Sequence, residues 1–151
     1  MSRNRKRALE NVALLLTITV IAYFTLFTRQ PLPNKKHIFR PFHSYFELFI
    51  HGNYGWAIQN FLNILLFVPF GTVFYLKIKS WDMLERKKFL ITGFTGFVLS
   101  FVIENIQYWF KLGFFETDDL FNNTVGTLLG GLFVAWDISV RVKYKHNEKS
   151  K

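Results

Sequence analysis

The stretch Ser100-Phe-Val-Ile-Glu104-Asn-Ile-Gln107 carries polar side chains inside a largely apolar segment. On a helix, Ser100, Glu104 and Gln107 fall at positions i, i+4 and i+7, so they share one face. A carboxylate in an apolar helix of this length is a functional-site hypothesis if the helix spans a membrane. The first question is therefore whether this helix does so.

The apolar residues of the chain occur in long blocks. Half of the 151 residues are apolar and 19% are aromatic. A soluble fold would show short alternating runs, whereas blocks of about 20 apolar residues are typical of transmembrane helices. Four such helices are predicted over residues 9–28, 56–76, 89–110 and 120–140, with a short interfacial helix over residues 42–50. The predicted fold class is an all-α integral membrane bundle of four transmembrane helices.

The first block follows the basic run Arg3-Asn-Arg-Lys-Arg7, which is also how a signal peptide begins. Its apolar part, residues 9–27, is about 19 residues long, which exceeds a typical signal-peptide core, and no Ala-x-Ala site follows it. We therefore expect a helix that is retained in the membrane. The run Arg29-Gln-Pro-Leu-Pro33 ends this helix, because proline cannot continue the backbone hydrogen-bond ladder.

Lysine and arginine are concentrated on one side of the predicted membrane domain. Residues 1–8, 77–88 and 141–151 hold fourteen of them, whereas the two loops on the other side hold five. Because basic flanks stay in the cytoplasm, both termini are predicted to be cytoplasmic. The chain is then a basic N-terminus, a membrane domain over residues 9–140 and a basic tail without regular structure. The net charge of +9 belongs to these flanks, so no nucleic acid is expected as a partner.

In this topology, polar residues of three helices lie at one level. Helix two enters the membrane from outside, helix three leaves it there and helix four starts there, so their polar ends meet in the outer half of the bilayer. At 1.5 Å per residue, Asn63 and Glu104 each lie about 9 Å below the ends of their helices. We predict an outward-facing polar pocket with eight ligand-binding residues: Asn60, Asn63, Ser100, Glu104, Gln107, Asp118, Asp119 and Asn123.

The predicted pocket has no soluble-enzyme motif, since the chain has no phosphate loop, no Gly-x-Ser-x-Gly and no His-Glu-x-x-His. Glu104, inside an apolar helix, and Asp119, nearer water, are the candidates for acid/base catalysis. The same cluster can instead bind a cationic or hydroxyl-rich ligand, or a divalent cation through oxygen atoms. A structural alternative is that the amides only join helices and that Asp118 and Asp119 cap the helix that they begin. No metal site is assigned; the cofactor and the oligomeric state stay open.

Small residues and a proline predict how the helices pack. Gly126-x-x-x-Gly130 in helix four and Gly71 in helix two allow a neighbouring helix to approach closely. Pro69 in helix two lacks an amide hydrogen, so a bend is predicted there.

Four segments resemble the motifs of one membrane-protein family. They are Asn60-Phe-Leu-Asn-Ile-Leu-Leu-Phe-Val-Pro-Phe-Gly71, Ser100-Phe-Val-Ile-Glu104-Asn-Ile-Gln107, Asp118-Asp119-Leu-Phe-Asn-Asn123-Thr-Val-Gly126 and the weaker Phe39-Arg-Pro-Phe42. Their order is that of VanZ-like membrane proteins, so the chain resembles that family over roughly residues 9–140.

The resemblance implies a bacterial multi-pass protein of the cell membrane. The family's namesake is associated with low-level resistance to the glycopeptide teicoplanin, so the implied partners are the lipid bilayer and a lipid-linked cell-wall precursor or lipophilic glycopeptide. Two alternatives stay open, a membrane-embedded enzyme that acts on a lipid headgroup and a structural bundle that assists an envelope complex. The resemblance gives most weight to Asn63, Glu104, Gln107, Asp119, Asn123 and Gly126.

One departure from the family pattern concerns charge. Many VanZ-like proteins carry an arginine shortly before the Asp pair, whereas residues 112–117 hold none here. If that arginine neutralises the acidic cluster in relatives, Lys111 or Arg40 is expected to replace it in this chain.

Overall fold

The computed structural model describes residues 2–29, 31–33, 36–38 and 40–149, and its described part is built mainly of helices. The helices are α1 (Arg3–Ala22), α2 (His43–His51), α3 (Tyr54–Ile78), α4 (Glu85–Phe110) and α5 (Thr117–Lys149). A π-helical turn, Tyr23–Phe27, continues α1. Two short strands, β1 (Lys36–Ile38) and β2 (Phe114–Glu116), pair in parallel.

Four of these helices are long and apolar enough to cross a membrane, namely Asn4–Phe27, Tyr54–Ile78, Glu85–Phe110 and Thr117–Arg141. Their outward faces carry large apolar side chains that are about two-thirds exposed, such as Leu15 (66%) and Phe94 (68%). Such a surface is stable in lipid and unstable in water. The predicted all-α bundle of four transmembrane helices is confirmed.

The short helix between the first two spans is also confirmed. It begins directly after Phe42, whose backbone is left-handed (φ 61°), and ends at Gly52, which is left-handed as well (φ 64°). Phe46, Phe49 and Ile50 on α2 are more than half exposed. Exposed apolar side chains on a short helix beside the bundle suit a position in the membrane interface.

The ends of the last helix differ from the sequence expectation. We expected residues 141–151 to lack regular structure, and this is wrong as far as Lys149, because α5 continues to that residue. Lysine and arginine are good helix formers, so a basic tail can prolong an established helix. The Arg141 guanidinium supports the extension by pairing with Asp137 one turn earlier, at 2.9 Å. The strand pair was not anticipated, since segments of three residues show no usable alternation.

The most extensive helix contact joins α3 and α5. A Cβ atom added at Gly71, Gly126 or Gly130 would come closer than 3.0 Å to backbone atoms of the facing helix. Glycine is therefore required at these three positions for the two backbones to touch. The helix α3 runs through Pro69 without interruption, and the bend at that residue stays a prediction.

In contrast, α1 packs mainly along one side of α3, and most of its surface is exposed. Ile21 of α1 joins Phe67, Phe70 and Ile103 in the buried core. Cavities remain along the α1–α3 contact, and one of them lies beside this end of α1. The first helix is thus held near its C-terminal end, where it delivers Thr25 and Arg29 to the polar layer.

Candidate functional site

The predicted polar residues do meet in one layer of the bundle. Each of the eight forms a hydrogen bond to a residue of another structural element. They divide into a network around Asp118, a pair between α4 and α5, and a group that faces two cavities. The three parts have different chemistry.

Asp118 holds the start of α2. One carboxylate oxygen accepts the backbone N–H of Phe42 at 2.6 Å, and the other accepts the backbone N–H and hydroxyl of Ser44 at 2.7 and 2.6 Å. The first N–H groups of a helix have no partner within the helix, so a carboxylate there is stabilising. Asp118 therefore caps a helix, as the structural alternative proposed, but it caps α2 and does so from α5.

The same network continues through the amides of α3 and α5. Asn60 donates to the Ser44 hydroxyl at 3.0 Å and accepts from Asn122 at 2.8 Å, and Asn122 accepts from the Tyr45 hydroxyl at 2.5 Å. Burial and the charge of Asp118 raise the pKa of Tyr45, so its hydroxyl keeps the proton that it donates. These bonds join α2, α3 and α5, so Asn60 helps to hold the three helices together.

Two further contacts tie α4 to its neighbours. Asn123 of α5 donates to the Ser100 hydroxyl at 2.8 Å, and Gln107 donates to the Thr25 carbonyl at 2.9 Å. Thr25 lies in the π-helical turn of α1, where the i→i+4 bonding of the α-helix is broken. The wider turn thus provides a carbonyl for a bond between helices.

The remaining residues surround an acidic group at the end of β2. Asn63 donates to the Asp119 carboxylate at 2.7 Å, and Glu104 accepts the backbone N–H of Glu116 at 3.0 Å. Glu104 is only 1% exposed, so its carboxylate is covered. It holds the end of β2 in place, and the strand in turn positions Glu116.

The cation that faces this group is Arg29, at the end of α1. Its charge acts on Glu104, Glu116 and Asp119. A Cβ atom on Gly113 would lie 2.6 Å from the Arg29 Nη1 atom, so the glycine makes room for the guanidinium. We expected Lys111 or Arg40 in this role, but both are exposed, and Lys111 reaches the Pro33 carbonyl at 3.5 Å.

Two cavities meet at Arg29 and Gln59. The larger, the lateral groove, has a volume of about 920 Å³ and lies between α1 and α3. It is mainly apolar, with polar residues at one end: Thr25, Arg29, Gln59 and Asn63. The smaller, the polar chamber, has a volume of about 290 Å³ and is lined by Arg29, Leu32, Gln59, Leu112, Gly113, Phe114 and Glu116.

Glu116 is the acidic side chain among the described lining residues of the polar chamber. Its burial raises its pKa to about 7, the charge of Asp119 adds to this, and a Gln59 hydrogen bond and Arg29 oppose it. A carboxyl group of this kind exchanges its proton near neutral pH. The polar chamber therefore contains a group suited to proton transfer. That group, Glu116, was not among the residues predicted from the sequence.

The raised pKa of Glu116 makes the stability of the protein depend on pH in a testable way. A raised native pKa means that the native state binds the proton more tightly than the unfolded state does. The contribution is fully present below the ordinary glutamate pKa of 4.5 and is lost as the pH rises through about 7. Between about pH 5 and about pH 8, the wild type should therefore lose more thermal stability than Glu116→Gln.

Thermal unfolding of both proteins in detergent measures this difference. Glu47→Gln, which removes a glutamate of α2 outside both cavities, is the matched control and should keep the wild-type dependence. Equal pH dependence in the wild type and Glu116→Gln would contradict the assigned pKa.

Within the described part of the chain, no group of three or more His, Cys, Asp or Glu side chains is arranged to hold a metal ion. Arg29, Gln59 and Glu116 were not predicted from the sequence as cavity residues. Their signal was weak, because each lies at the end of an element, where polar residues are ordinary. Only the approach of the end of the first span to α3 and β2 brings them together.

Comparison with known proteins places these features in a family. The family model described as VanZ/LLP1 matches residues 12–138. The chain is 34% identical over 79 residues to Protein VanZ of Enterococcus faecium, a match that covers 52% of this chain and 44% of that protein. The match thus spans less than half of that relative's length. No solved structure matches the chain.

Proposed function

This chain belongs to the VanZ/LLP1 family of multi-pass membrane proteins, and from that premise we propose that it binds a lipid-linked or lipophilic molecule of the bacterial cell envelope. The lateral groove would take the apolar tail and the polar chamber the headgroup. The observation that carries the proposal is the junction of the two cavities at Arg29 and Gln59.

The sizes and linings of the cavities support an amphiphilic ligand. Ligand pockets commonly measure about 300–1,000 Å³ and combine apolar walls with a few placed polar groups. The lateral groove falls in this range, and Val20, Leu62 and Leu66 are among its apolar lining residues. It lies between α1 and α3, on helices whose outer faces suit lipid, so a tail could enter from the bilayer without crossing water.

The polar end offers three kinds of headgroup contact. Arg29 is suited to a phosphate or carboxylate, because a guanidinium can donate two parallel hydrogen bonds to either. Gln59 and Asn63 present amides to hydroxyl groups. Glu116 can accept a hydrogen bond from an amine or hydroxyl. This set fits a phosphate-linked sugar or a glycopeptide headgroup better than a plain hydrocarbon.

The predicted topology supports a site on the outer side of the membrane. The distribution of lysine and arginine predicts cytoplasmic termini in the bacterial cell membrane, which puts the polar chamber on the outer side. Lipid-linked cell-wall precursors and lipophilic glycopeptides both reside in the outer leaflet. We therefore propose that occupation of this site gives low-level protection against teicoplanin.

The test is teicoplanin and vancomycin sensitivity of a susceptible host that expresses the protein. The wild type should protect selectively against teicoplanin, and Arg29→Gln should lose this protection, because the loss of one charge-assisted contact weakens binding by roughly thirtyfold. Lys111→Gln removes an exposed cation from the same end and is the matched control. Membrane levels are equalised by immunoblot.

Two outcomes would contradict the proposal. If the wild type behaves like an empty vector, the resistance function fails for this protein. If Arg29→Gln protects as well as Lys111→Gln does, the polar chamber is not the working site. Glu104→Gln and Asp119→Asn are tested in the same sensitivity assay. If the bundle has a purely structural role, both variants should protect as well as the wild type.

A second candidate is a membrane-embedded enzyme that acts on a lipid headgroup. The specific observation in its favour is Glu116, whose pKa of about 7 suits a general acid or base. This candidate requires that Glu116→Gln abolish protection while the variant still retains the lipid on purification. Parallel loss of protection and of lipid retention would favour binding alone.

A further inference from the structure

A third cavity lies at the opposite end of the α1–α3 contact from the polar chamber. It has a volume of about 770 Å³ and is lined by Lys6, Arg7, Glu10, Asn11, Lys77, Ser80 and Trp81. Three of these side chains are cationic and one is anionic, so the cavity carries a net positive charge. The proposed function makes no use of it.

Two of the three basic side chains are placed where their charge is unfavourable. Lys6 and Arg7 lie near the N-terminus of α1, whose first turn holds no acidic residue. A helix N-terminus carries partial positive charge, so cations there destabilise the helix until an anion approaches. Glu10 offsets this little, because its distance to Lys6 is 4.0 Å and the Lys6 side chain is 54% exposed.

The third cation is fixed on the facing helix. The Lys77 ammonium group donates to the Asn11 side chain at 2.8 Å, which holds it at the cavity between α3 and α1. Trp81 is 48% exposed beside it. Tryptophan at this position is typical of the level at which lipid headgroups lie.

We propose that this cavity binds the headgroup of an anionic phospholipid. Basic pockets between transmembrane helices recognise such headgroups, and a zwitterionic lipid would bring its own ammonium group against Lys6 and Lys77. The acyl chains would lie along exposed apolar side chains of α1, including Leu9 (58%) and Val12 (64%). A free phosphate lacks these chains and therefore binds far more weakly.

The bound lipid would act on the position of α1. Its headgroup would join the start of α1 to the end of α3, two segments that the Lys77–Asn11 hydrogen bond also links. Arg29 follows the opposite end of the same transmembrane segment, after the π-helical turn. An anionic lipid would thus hold the first helix against the bundle from the side opposite the polar chamber.

The experiment measures thermal unfolding of the full chain in an uncharged detergent, followed by tryptophan fluorescence. Added phosphatidylglycerol should raise the unfolding temperature, whereas phosphatidylcholine should not. In the double variant Lys6→Gln/Lys77→Gln the apparent affinity for phosphatidylglycerol should fall by roughly thirtyfold. The single variant Arg7→Gln, which keeps the Lys77–Asn11 bond, should lose roughly fivefold.

Two controls separate charge from structure. Arg86→Gln/Lys87→Gln removes two exposed cations that do not line the cavity and should respond to phosphatidylglycerol like the wild type. Asn11→Ala removes the hydrogen bond of Lys77 but keeps all three cations, so it should start less stable and still respond.

Three results would overturn the proposal. One is an equal shift with phosphatidylcholine, which would indicate a general effect of lipid. Another is an equal shift with inorganic phosphate alone, which would indicate an anion site without lipid specificity. The third is an unchanged response in Arg7→Gln and in the double variant.

Discussion

Replacement of Gly126 by alanine is expected to destabilise the protein by about 3 kcal/mol or more. The new Cβ atom would come within 3.0 Å of the Ile64 backbone, including its carbonyl oxygen. A backbone carbonyl in the middle of α3 cannot turn aside as a flexible side chain can. The helices α3 and α5 would have to separate, and their contact is the most extensive in the bundle.

Thermal unfolding in detergent and elution on size-exclusion chromatography measure this effect. The matched control is Gly55→Ala in the first turn of α3, where the added Cβ would meet only the Asn53 side chain, at 3.3 Å. Alanine is the better helix former, so this control should be neutral or slightly stabilising. A Gly126→Ala protein as stable as the control would mean that the two helices are farther apart than described.

The second large effect is expected at Asp118, whose replacement by alanine should cost about 5 kcal/mol or more. This carboxylate accepts three buried hydrogen bonds, two from the backbone at the start of α2 and one from the Ser44 hydroxyl. Hydrogen bonds to a charged group contribute about 1.5–3 kcal/mol each, and the three donors would be left buried without their acceptor. The interfacial helix should then detach from the bundle.

Hydrogen exchange of the α2 amides, together with thermal unfolding, tests this expectation. Asp119→Asn is the control, because Asp119 is the neighbouring residue and accepts a bond from the side chain of Asn63. It should leave exchange in α2 unchanged. If both variants lose protection of α2 equally, Asp118 is not its specific cap.

These two adjacent carboxylates show how far sequence reasoning reached. In the sequence, both suit the start of a helix and both belong to the same resembling motif, and only the resemblance gives Asp119 more weight than Asp118. The structure separates them by the faces of α5 that they occupy. Asp118 points to α2, whereas Asp119 faces Asn63 of α3. Rotation by about 100° per residue is enough to send neighbouring side chains to different helices.

The case of Glu104 is similar. Its position inside an apolar helix correctly marked the polar layer, but the same burial leaves it 1% exposed and bonded to the backbone of Glu116. The carboxylate that lines the polar chamber is Glu116, in a turn that looked merely acidic. The sequence predicts Arg29 only as the end of the first helix. Its role depends on the cavities beside which that end lies.

The sequence by itself determined the number of spans, the interfacial helix, the family motifs and the level at which the polar residues meet. Those properties follow from hydropathy and helix rise, which are local quantities read along one segment. Only the tertiary structure decided which polar groups bond to each other and which line a cavity. That choice depends on the rotation of each helix about its axis and on where the loops return, and packing between distant segments fixes both.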